Sequence, residues 1–146
     1  MVLPNDANPL GNILGGTVMH LADIAGAIAA HRHSGSYVVT ASIDHMDFHL
    51  PIRVGEIIIL KASVNRVFRS SMEVGVKVYR EDVFTGKQKH TSTAYLTYVA
   101  VDADGKPIPA PPVLPRTPAE KRRYLEAGQR RMGRLRQKSP HPGLSR

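Results

Sequence analysis

The chain has 146 residues, of which 42% are hydrophobic, and this fits a single globular domain with a core of its own. It contains no cysteine, which excludes disulfides and thiolate chemistry. The net charge of +8 is uneven: residues 1–105 hold nine Lys and Arg against ten Asp and Glu, whereas residues 106–146 hold eleven against two. No apolar run is long enough to span a bilayer and the N-terminus lacks the basic-then-apolar order of a signal peptide, so we expect a cytoplasmic protein.

The N-terminal third predicts one long helix. Residues 1–14 are rich in turn formers, and Gly15 and Gly16 then open a helical stretch. Residues 18–32 contain many Ala, Leu, Ile and Met and no proline, and they are apolar nearly all round. This composition predicts a helix that is buried on most sides and that ends at Gly35.

The middle of the chain predicts strands. Four segments rich in β-branched and aromatic residues are separated by turn formers, and they cover Tyr37–Phe48, Glu56–Phe68, Met72–Tyr79 and His90–Val101. We expect long strands linked as hairpins. The apolar run of residues 57–60 indicates burial on both faces. The alternation of the third strand places Met72 and Val74 on one face and Glu73 on the other.

The C-terminal part differs in character from the rest. A Pro-rich linker over residues 107–118 leads to a basic, polar helix over residues 118–137, with Thr117 and Glu120 positioned to cap its start. We therefore predict an α+β fold over residues 1–115, with one long helix packed on an antiparallel sheet, and a basic helix and tail over 116–146. The edges of such a sheet can pair with a second copy of the chain.

Asp23 is the strongest candidate for chemistry, because it interrupts the apolar helix. A buried lone carboxylate is costly unless it has a partner, a raised pKa or an opening to solvent. It either pins the helix through a hydrogen bond or takes part in a reaction, and composition leaves these two interpretations about equal.

Gly15 and Gly16 form the second candidate feature. A helix N-terminus offers free N–H groups, and glycines let a ligand approach them, which suits a carbonyl oxygen that gains charge in acyl transfer. The alternative is a tight turn that needs positive φ. Asp23 lies seven residues after Gly16, about 10 Å along a helix, so we expect it to work with the glycines of a neighbouring copy. Asn8 can orient a water, although an Asn in a loop is usually a turn former.

A long ordered pattern resembles the hotdog-fold acyl-CoA thioesterases, closest to the branch of brain-type cytosolic acyl-CoA hydrolases and their bacterial single-domain relatives. The resemblance begins with residues 5–16 and 19–23. It continues through residues 39–44, Phe48, Pro51, residues 54–56, 70–74, 95–99 and 104–106, and it ends at Pro111 and Pro112.

The resemblance implies a central helix wrapped by an antiparallel sheet, and dimers that assemble further, often into hexamers. It implies an active site between two subunits, where Asn8 and Asp23 are catalytic and Gly15 and Gly16 meet the thioester oxygen. Ile24 is a departure, since many relatives carry Glu after the Asp.

The resemblance also carries implications for the ligands. It places the turn of Arg69, Ser70 and Ser71 near the CoA moiety. No separate cofactor is expected, because CoA belongs to the substrate and the product.

The sequence therefore predicts an acyl-CoA thioester hydrolase in which Asp23 is either the general base or the nucleophile, and Asn8 of a partner copy positions water. One alternative is a hotdog dehydratase or isomerase, which resemblance disfavours because such enzymes usually carry a His near the helix start. Another is a CoA-binding or nucleic-acid-binding module without hydrolase activity, for which the basic tail is the only support.

No metal site is expected, because the histidines lack suitable spacing. His31 and His33 flank Arg32 near the helix end, and His45 and His49 stand apart on a predicted strand. His20 could contact Asp23 or lie on a surface.

Overall fold

The computed structural model describes residues 1–44 and 46–138, so His45 and the tail beyond residue 138 lie outside the described part. A short 3-10 helix at Pro4–Asp6 precedes α1, Gly15–Ser34. Four strands follow, β1 (Tyr37–Ile43), β2 (Ile57–Phe68), β3 (Ser71–Glu81) and β4 (Gln88–Val101), and α2 (Pro118–Lys138) comes last. The predicted order of one helix, four strands and a second helix is confirmed. α1 ends where expected, since Gly35 caps it with a φ of 66°.

The four strands form one antiparallel sheet in the order β1-β4-β3-β2. The hairpin expectation holds for β2, β3 and β4 but is wrong for β1, which pairs with β4. The predicted first strand is also too long, because pairing stops at Ile43 instead of Phe48. Asp44 still bonds to the carbonyl of Tyr95, and the chain then leaves the sheet through a segment that contains Pro51. Both β1 and β2 are therefore edge strands.

The inner face of the sheet packs against α1 and forms the core. Met72, Val74, Val76 and Val78 of β3 are fully buried there, as their alternation predicted. α1 contributes one stripe of small residues at a spacing of four, namely Val18, Ala22, Gly26 and Ala30. The prediction that α1 is buried on most sides is wrong for a single chain, because the opposite face, which is also apolar, stays exposed.

The burial predicted for β2 is also wrong. Residues 57–60 are only half-buried, because β2 lies at the edge of the sheet and has a strand on one side only. Ile58 and Leu60 pack against the core from one face, so the run is not enclosed from both faces.

α2 packs on the outer face of the sheet, and charged groups hold it there. Glu73 on β3 is fully buried and accepts hydrogen bonds from Arg130 Nε (3.0 Å) and Nη2 (2.6 Å) and from Asn65 Nδ2 (3.0 Å). Arg134 lies 2.6 Å from Asp44 and 3.6 Å from Glu73. The basic helix is thus a docked element and not simply a solvated face.

The start of α2 agrees with its predicted cap. The hydroxyl of Thr117 accepts the N–H of Glu120 at 3.1 Å, and the Glu120 carboxylate accepts the N–H groups of Arg116 and Thr117. The hydrogen bonds that the Glu120 carboxylate accepts from the N–H groups of Arg116 and Thr117 lower its pKa below the usual value. Neither α1 nor α2 is both long and apolar enough to cross a bilayer, within the residues described.

Candidate active site

Asp23 sits in the middle of α1 and faces the sheet beside its β1 edge. Thr40 of β1 donates its hydroxyl to Asp23 Oδ1 at 2.7 Å. Tyr98 of β4 places its hydroxyl 2.7 Å from the Asp23 backbone carbonyl and 3.1 Å from the same Oδ1. The carboxylate is half-buried and Thr40 is exposed, so this side of the chain stays open. A carboxylate in this setting is both anchored and accessible.

Tyr98 itself is fully enclosed between α1 and the sheet. Burial raises the pKa of the Tyr98 phenol well above its usual value, and the nearby charge of Asp23 and their hydrogen bond raise it further. The phenol therefore keeps its proton, and its role as a donor toward Asp23, at neutral pH.

The N-terminus of α1 presents the free N–H groups that the two glycines predicted. The N-cap residue, Leu14, gives no side-chain cap, and the first turn holds no acidic residue. Neither Gly15 nor Gly16 has positive φ, so the tight-turn interpretation is excluded. A Cβ at Gly16 would meet nothing within 4 Å, whereas one at Gly15 would lie 3.4 Å from the Phe48 ring. This end of the helix is thus open to a ligand on the Gly16 side.

A cleft of about 350 Å³ opens beside this helix end. Its wall includes Gly15 and Val18 from α1, Phe48 from the loop after β1, and Thr91 and Ser92 from β4. The loop thus closes one side of a cavity that begins at the free N–H groups, and such a cavity can hold part of an elongated substrate.

Asn8 lies in the turn before α1. Its Oδ1 accepts the N–H groups of Leu10 (3.0 Å) and Asn12 (3.2 Å), as in a turn former. Its side-chain NH₂ donates to no described residue, and no hydrogen bond joins it to Asp23 within one chain. Asn8 is thus oriented by its own turn while its donors remain available.

The turn of Arg69, Ser70 and Ser71 joins β2 to β3. Arg69 adopts a φ of 66°, and the Ser71 hydroxyl accepts a hydrogen bond from Arg131 of α2 at 3.0 Å. Ser71 pairs with Val99, the neighbour of Tyr98, so the turn lies near the Asp23 end of the sheet. It makes no hydrogen bond to Asp23.

The histidines are dispersed. His31 and His33 bind the carbonyls of Ser36 and Pro111, and His20 is exposed without a hydrogen bond to Asp23. His45, which the sequence analysis paired with His49, lies outside the described residues. Residues 1–44 and 46–138 contain no group of three or more potential metal ligands.

Sequence reasoning did not find Thr40 and Tyr98. Thr40 lies 17 residues and Tyr98 lies 75 residues from Asp23 along the chain. Both are ordinary members of β-rich segments, so their composition gave no signal. Only the packing of β1 and β4 against α1 brings the two hydroxyls to the carboxylate.

Comparison with known proteins gives a consistent result. The family model described as Thioesterase superfamily matches residues 10–86. The chain is similar to the uncharacterized acyl-CoA thioester hydrolase YkhA of Bacillus subtilis, with 42% identity over 119 residues, which is 82% of this chain and 69% of that protein. It is also similar to a hexameric acyl-CoA thioesterase solved without ligand, with 42% identity and a TM-score of 0.91 over 97% of this chain and 90% of that one.

A third similar protein has been solved with ligands. It is an acyl-CoA hydrolase from Staphylococcus aureus in complex with butyryl-CoA, CoA and CoA disulfide, with 42% identity and a TM-score of 0.88 over 94% of this chain and 84% of that one. Variants of this enzyme have been solved with an asparagine, an aspartate or a threonine replaced by alanine. In that enzyme the asparagine precedes the aspartate by 15 residues and the aspartate precedes the threonine by 17. The same two intervals separate Asn8 from Asp23 and Asp23 from Thr40 in this chain.

The chain therefore belongs to the thioesterase superfamily, and its fold is the hotdog fold of that family. The α+β architecture predicted from the sequence is confirmed.

Proposed function

We propose that this protein hydrolyses acyl-CoA thioesters to a carboxylic acid and CoA, at a site formed by Asp23 of one subunit and Asn8 of another. The observation that carries the proposal is the Asp23 carboxylate, which Thr40 and Tyr98 anchor on the open side of the chain. A hydrolase needs a carboxylate that is held in place and still reachable, and this one is both.

Asp23 supplies the base or the nucleophile of the reaction. As a base, it takes a proton from water, the hydroxide adds to the thioester carbon, and collapse of the intermediate breaks the C–S bond and returns the proton to the thiolate. As a nucleophile, it forms an acyl-enzyme anhydride that water then hydrolyses. A single turnover in H₂¹⁸O tests for the second route, because ¹⁸O enters the Asp23 side chain only when an anhydride forms there and water cleaves it at the Asp23 carbon.

The N-terminus of α1 stabilises the oxyanion in this proposal. The free N–H groups at Gly16 and the positive end of the helix dipole favour negative charge on the thioester oxygen. Asp23 lies seven residues further along the same helix, about 10 Å away, so it cannot easily serve the same carbonyl. The carboxylate and the N–H groups at one reacting centre therefore come from two chains.

The exposed face of α1 supports this assembly. Met19, Ile24 and Ile28 are 38%, 45% and 46% exposed in the single chain, and Val39 on edge strand β1 is 50% exposed. Apolar surface of this extent beside an unpaired strand edge fits contact with a second copy, which would continue the sheet. We propose a homo-oligomer of dimers, most simply a hexamer like the one solved for the similar thioesterase.

The Staphylococcus aureus variants support the choice of residues. Their asparagine, aspartate and threonine fall at the same intervals as Asn8, Asp23 and Thr40, in a protein that was solved with acyl-CoA bound. We assign Asn8 to positioning water through its unused NH₂ group. The turn of Arg69, Ser70 and Ser71 is assigned to the CoA moiety, which is part of the substrate, so the reaction uses no separate cofactor.

We place the reaction in the cytoplasm, which suits a chain without cysteine. Nucleic-acid binding gains no support from Arg130, Arg131 and Arg134 of α2, which already bind Glu73, Ser71 and Asp44.

A thiol-release assay tests the function directly. Purified full-length protein is incubated with acyl-CoAs from acetyl to palmitoyl, and free CoA is followed with a thiol reagent. We expect turnover with at least part of the series and a fall in kcat of at least roughly 10²-fold after Asp23→Asn. Absence of thiol release with every acyl-CoA would contradict the proposal.

A further inference from the structure

Two hydroxyl groups share one oxygen of the Asp23 carboxylate. Thr40 Oγ1 lies 2.7 Å and Tyr98 Oη lies 3.1 Å from Oδ1. Oδ2 accepts no hydrogen bond from any of the residues described. The two oxygens of this carboxylate are therefore not equivalent, since one is occupied and the other is free.

Tyr98 is the more rigid of the two donors. Its ring is fully buried, whereas Thr40 is exposed on an edge strand. Its single hydroxyl proton is shared between the backbone carbonyl of Asp23 at 2.7 Å and Oδ1 at 3.1 Å, so it holds the side chain of Asp23 against the helix backbone. A buried phenol has only two side-chain torsions and little room to move, so it can fix a partner accurately.

Gly26 is what allows the Tyr98 hydroxyl to reach this position. It lies three residues after Asp23 on α1, and a Cβ there would lie 2.9 Å from Tyr98 Cε2 and nearer still to the hydroxyl. Any other residue at 26 would push the ring away from the carboxylate. α1 therefore approaches the sheet closely at the point where the phenol meets Asp23.

The helix itself offers Asp23 no comparable partner. The next residue is Ile24, which is apolar and exposed, and His20, one turn earlier, makes no hydrogen bond to the carboxylate. Both donors come from the sheet. Loss of either leaves the carboxylate with a single fixed contact.

We propose that Tyr98 is a positioning residue for Asp23: together with Thr40 its hydroxyl occupies Oδ1, and Oδ2 is thereby presented as the reacting oxygen. This inference rests on the proposed thioesterase function. Beyond that function, it specifies that Oδ2 is the reacting oxygen of Asp23 and that the buried Tyr98 selects it. Tyr98 does not touch the substrate, because it is enclosed by α1 and the sheet.

Tyr98→Phe tests the proposal, because it removes only the hydroxyl. With Oδ1 held by Thr40 alone, the carboxylate samples unproductive rotamers, and we expect kcat to fall on the order of tenfold while KM stays unchanged. Tyr95→Phe is the matched control, since Tyr95 is on the same strand, packs against Arg130 at the outer face, and should keep wild-type kcat. Thermal unfolding of each variant confirms that the fold is retained.

A second pair of variants shows whether Tyr98 acts through Asp23. In the Asp23→Ala background, adding Tyr98→Phe should leave the residual rate unchanged, because the group that Tyr98 positions is gone. A further loss of rate, or a rise in KM with Tyr98→Phe alone, would show that Tyr98 acts on the substrate and overturn the proposal. A kcat of Tyr98→Phe within twofold of the wild-type value would also overturn the proposal.

The two proposals fail in distinguishable ways. An active wild-type enzyme with a fully active Tyr98→Phe variant overturns only the positioning role. A wild-type enzyme that cleaves no acyl-CoA overturns the thioesterase function and the positioning role together.

Discussion

The carboxylates of Asp23 on α1 and Glu73 on β3 lie at opposite faces of the sheet, and they differ in which groups bind their oxygens. Glu73, on the outer face, is fully buried, and both of its oxygens bind Arg130. Asp23, on the inner face, binds two neutral hydroxyls through one oxygen and leaves the other free. A carboxylate whose two oxygens are both bound, here by a guanidinium and an amide, holds structure together and has no free oxygen to react. A carboxylate that neutral donors hold through only one of its oxygens can still react through the other.

The same comparison applies to the two helices. α1 is apolar and meets the sheet through small residues, so its one carboxylate stands out in the sequence. α2 is polar and basic, and it is held by its arginines. Burial alone would lower the pKa of Arg130, but the hydrogen bonds and charge of Glu73 raise it above its usual value. Three arginines of α2, Arg130, Arg131 and Arg134, therefore serve its docking to the rest of the domain.

Replacing Asp23 should give the largest loss of activity. Asp23→Asn keeps the shape of the side chain and removes the base, so we expect kcat to fall by roughly 10² to 10⁴-fold. The unfolding free energy should change by less than about 1 kcal/mol, because the hydroxyls of Thr40 and Tyr98 can still bond to the amide oxygen. Thiol release and urea unfolding measure the two effects. A variant that keeps wild-type turnover would remove Asp23 from the reaction.

Replacing Glu73 should have the converse effect. Glu73→Gln leaves Arg130 without its charged partner, so we expect the unfolding free energy to drop on the order of 3 kcal/mol. The kcat per folded active site should remain close to wild type. Glu126→Gln is the control, since Glu126 forms an exposed pair with Arg122 and should change stability by less than about 0.5 kcal/mol. Equal stability of the two variants would show that Glu73 does not anchor α2.

Gly16→Ala should separate stability from activity at the helix start. A Cβ at Gly16 meets nothing within 4 Å of the chain, and alanine favours helix, so stability should rise by about 0.5 kcal/mol. The same methyl group would obstruct a thioester that approaches the free N–H, so we expect kcat/KM to fall on the order of tenfold. Unchanged kcat/KM would place the thioester oxygen elsewhere.

The raised pKa of Tyr98 predicts a loss of stability in alkali. Above about pH 10 the unfolded chain releases the phenol proton, while the folded chain retains it. The stabilisation is therefore fully present below pH 10 and declines as the pH rises beyond it. Urea midpoints between pH 8 and 11 should show this slope in the wild type and a shallower one in Tyr98→Phe. Identical slopes would mean that the phenol titrates normally in the folded protein.

The sequence predicted those parts of the fold that depend on local patterns. The strand alternation placed Met72 and Val74 in the core, and Thr117 marked the start of α2. Asp23 stood out because a charge in an apolar helix is visible without a structure. Local pattern could not show that β1 pairs with β4, because the paired residues are 53 to 64 positions apart and pairing depends on packing over the whole sheet.

The contacts of the candidate site were less accessible to sequence reasoning. Tyr98 reaches Asp23 because Gly26 lets α1 approach β4, and this depends on two helix positions together with a strand position 75 residues from Asp23. The burial of Glu73 was also missed. Its alternation placed it on the outer face, and only the docking of α2 turns that face into an interior.

The central claim is that the site is shared, with Asn8 and Asp23 contributed by different chains, and subunit complementation tests it most directly. Asn8→Ala and Asp23→Ala are co-expressed with different affinity tags, and the mixed oligomer is purified through both. Each variant alone should be inactive. In each mixed dimer, one of the two sites has an intact Asn8 and an intact Asp23. Random pairing makes about half of the dimers mixed, so we expect about a quarter of wild-type thiol release. A mixed oligomer as inactive as its parents would place both residues in one chain and contradict the account.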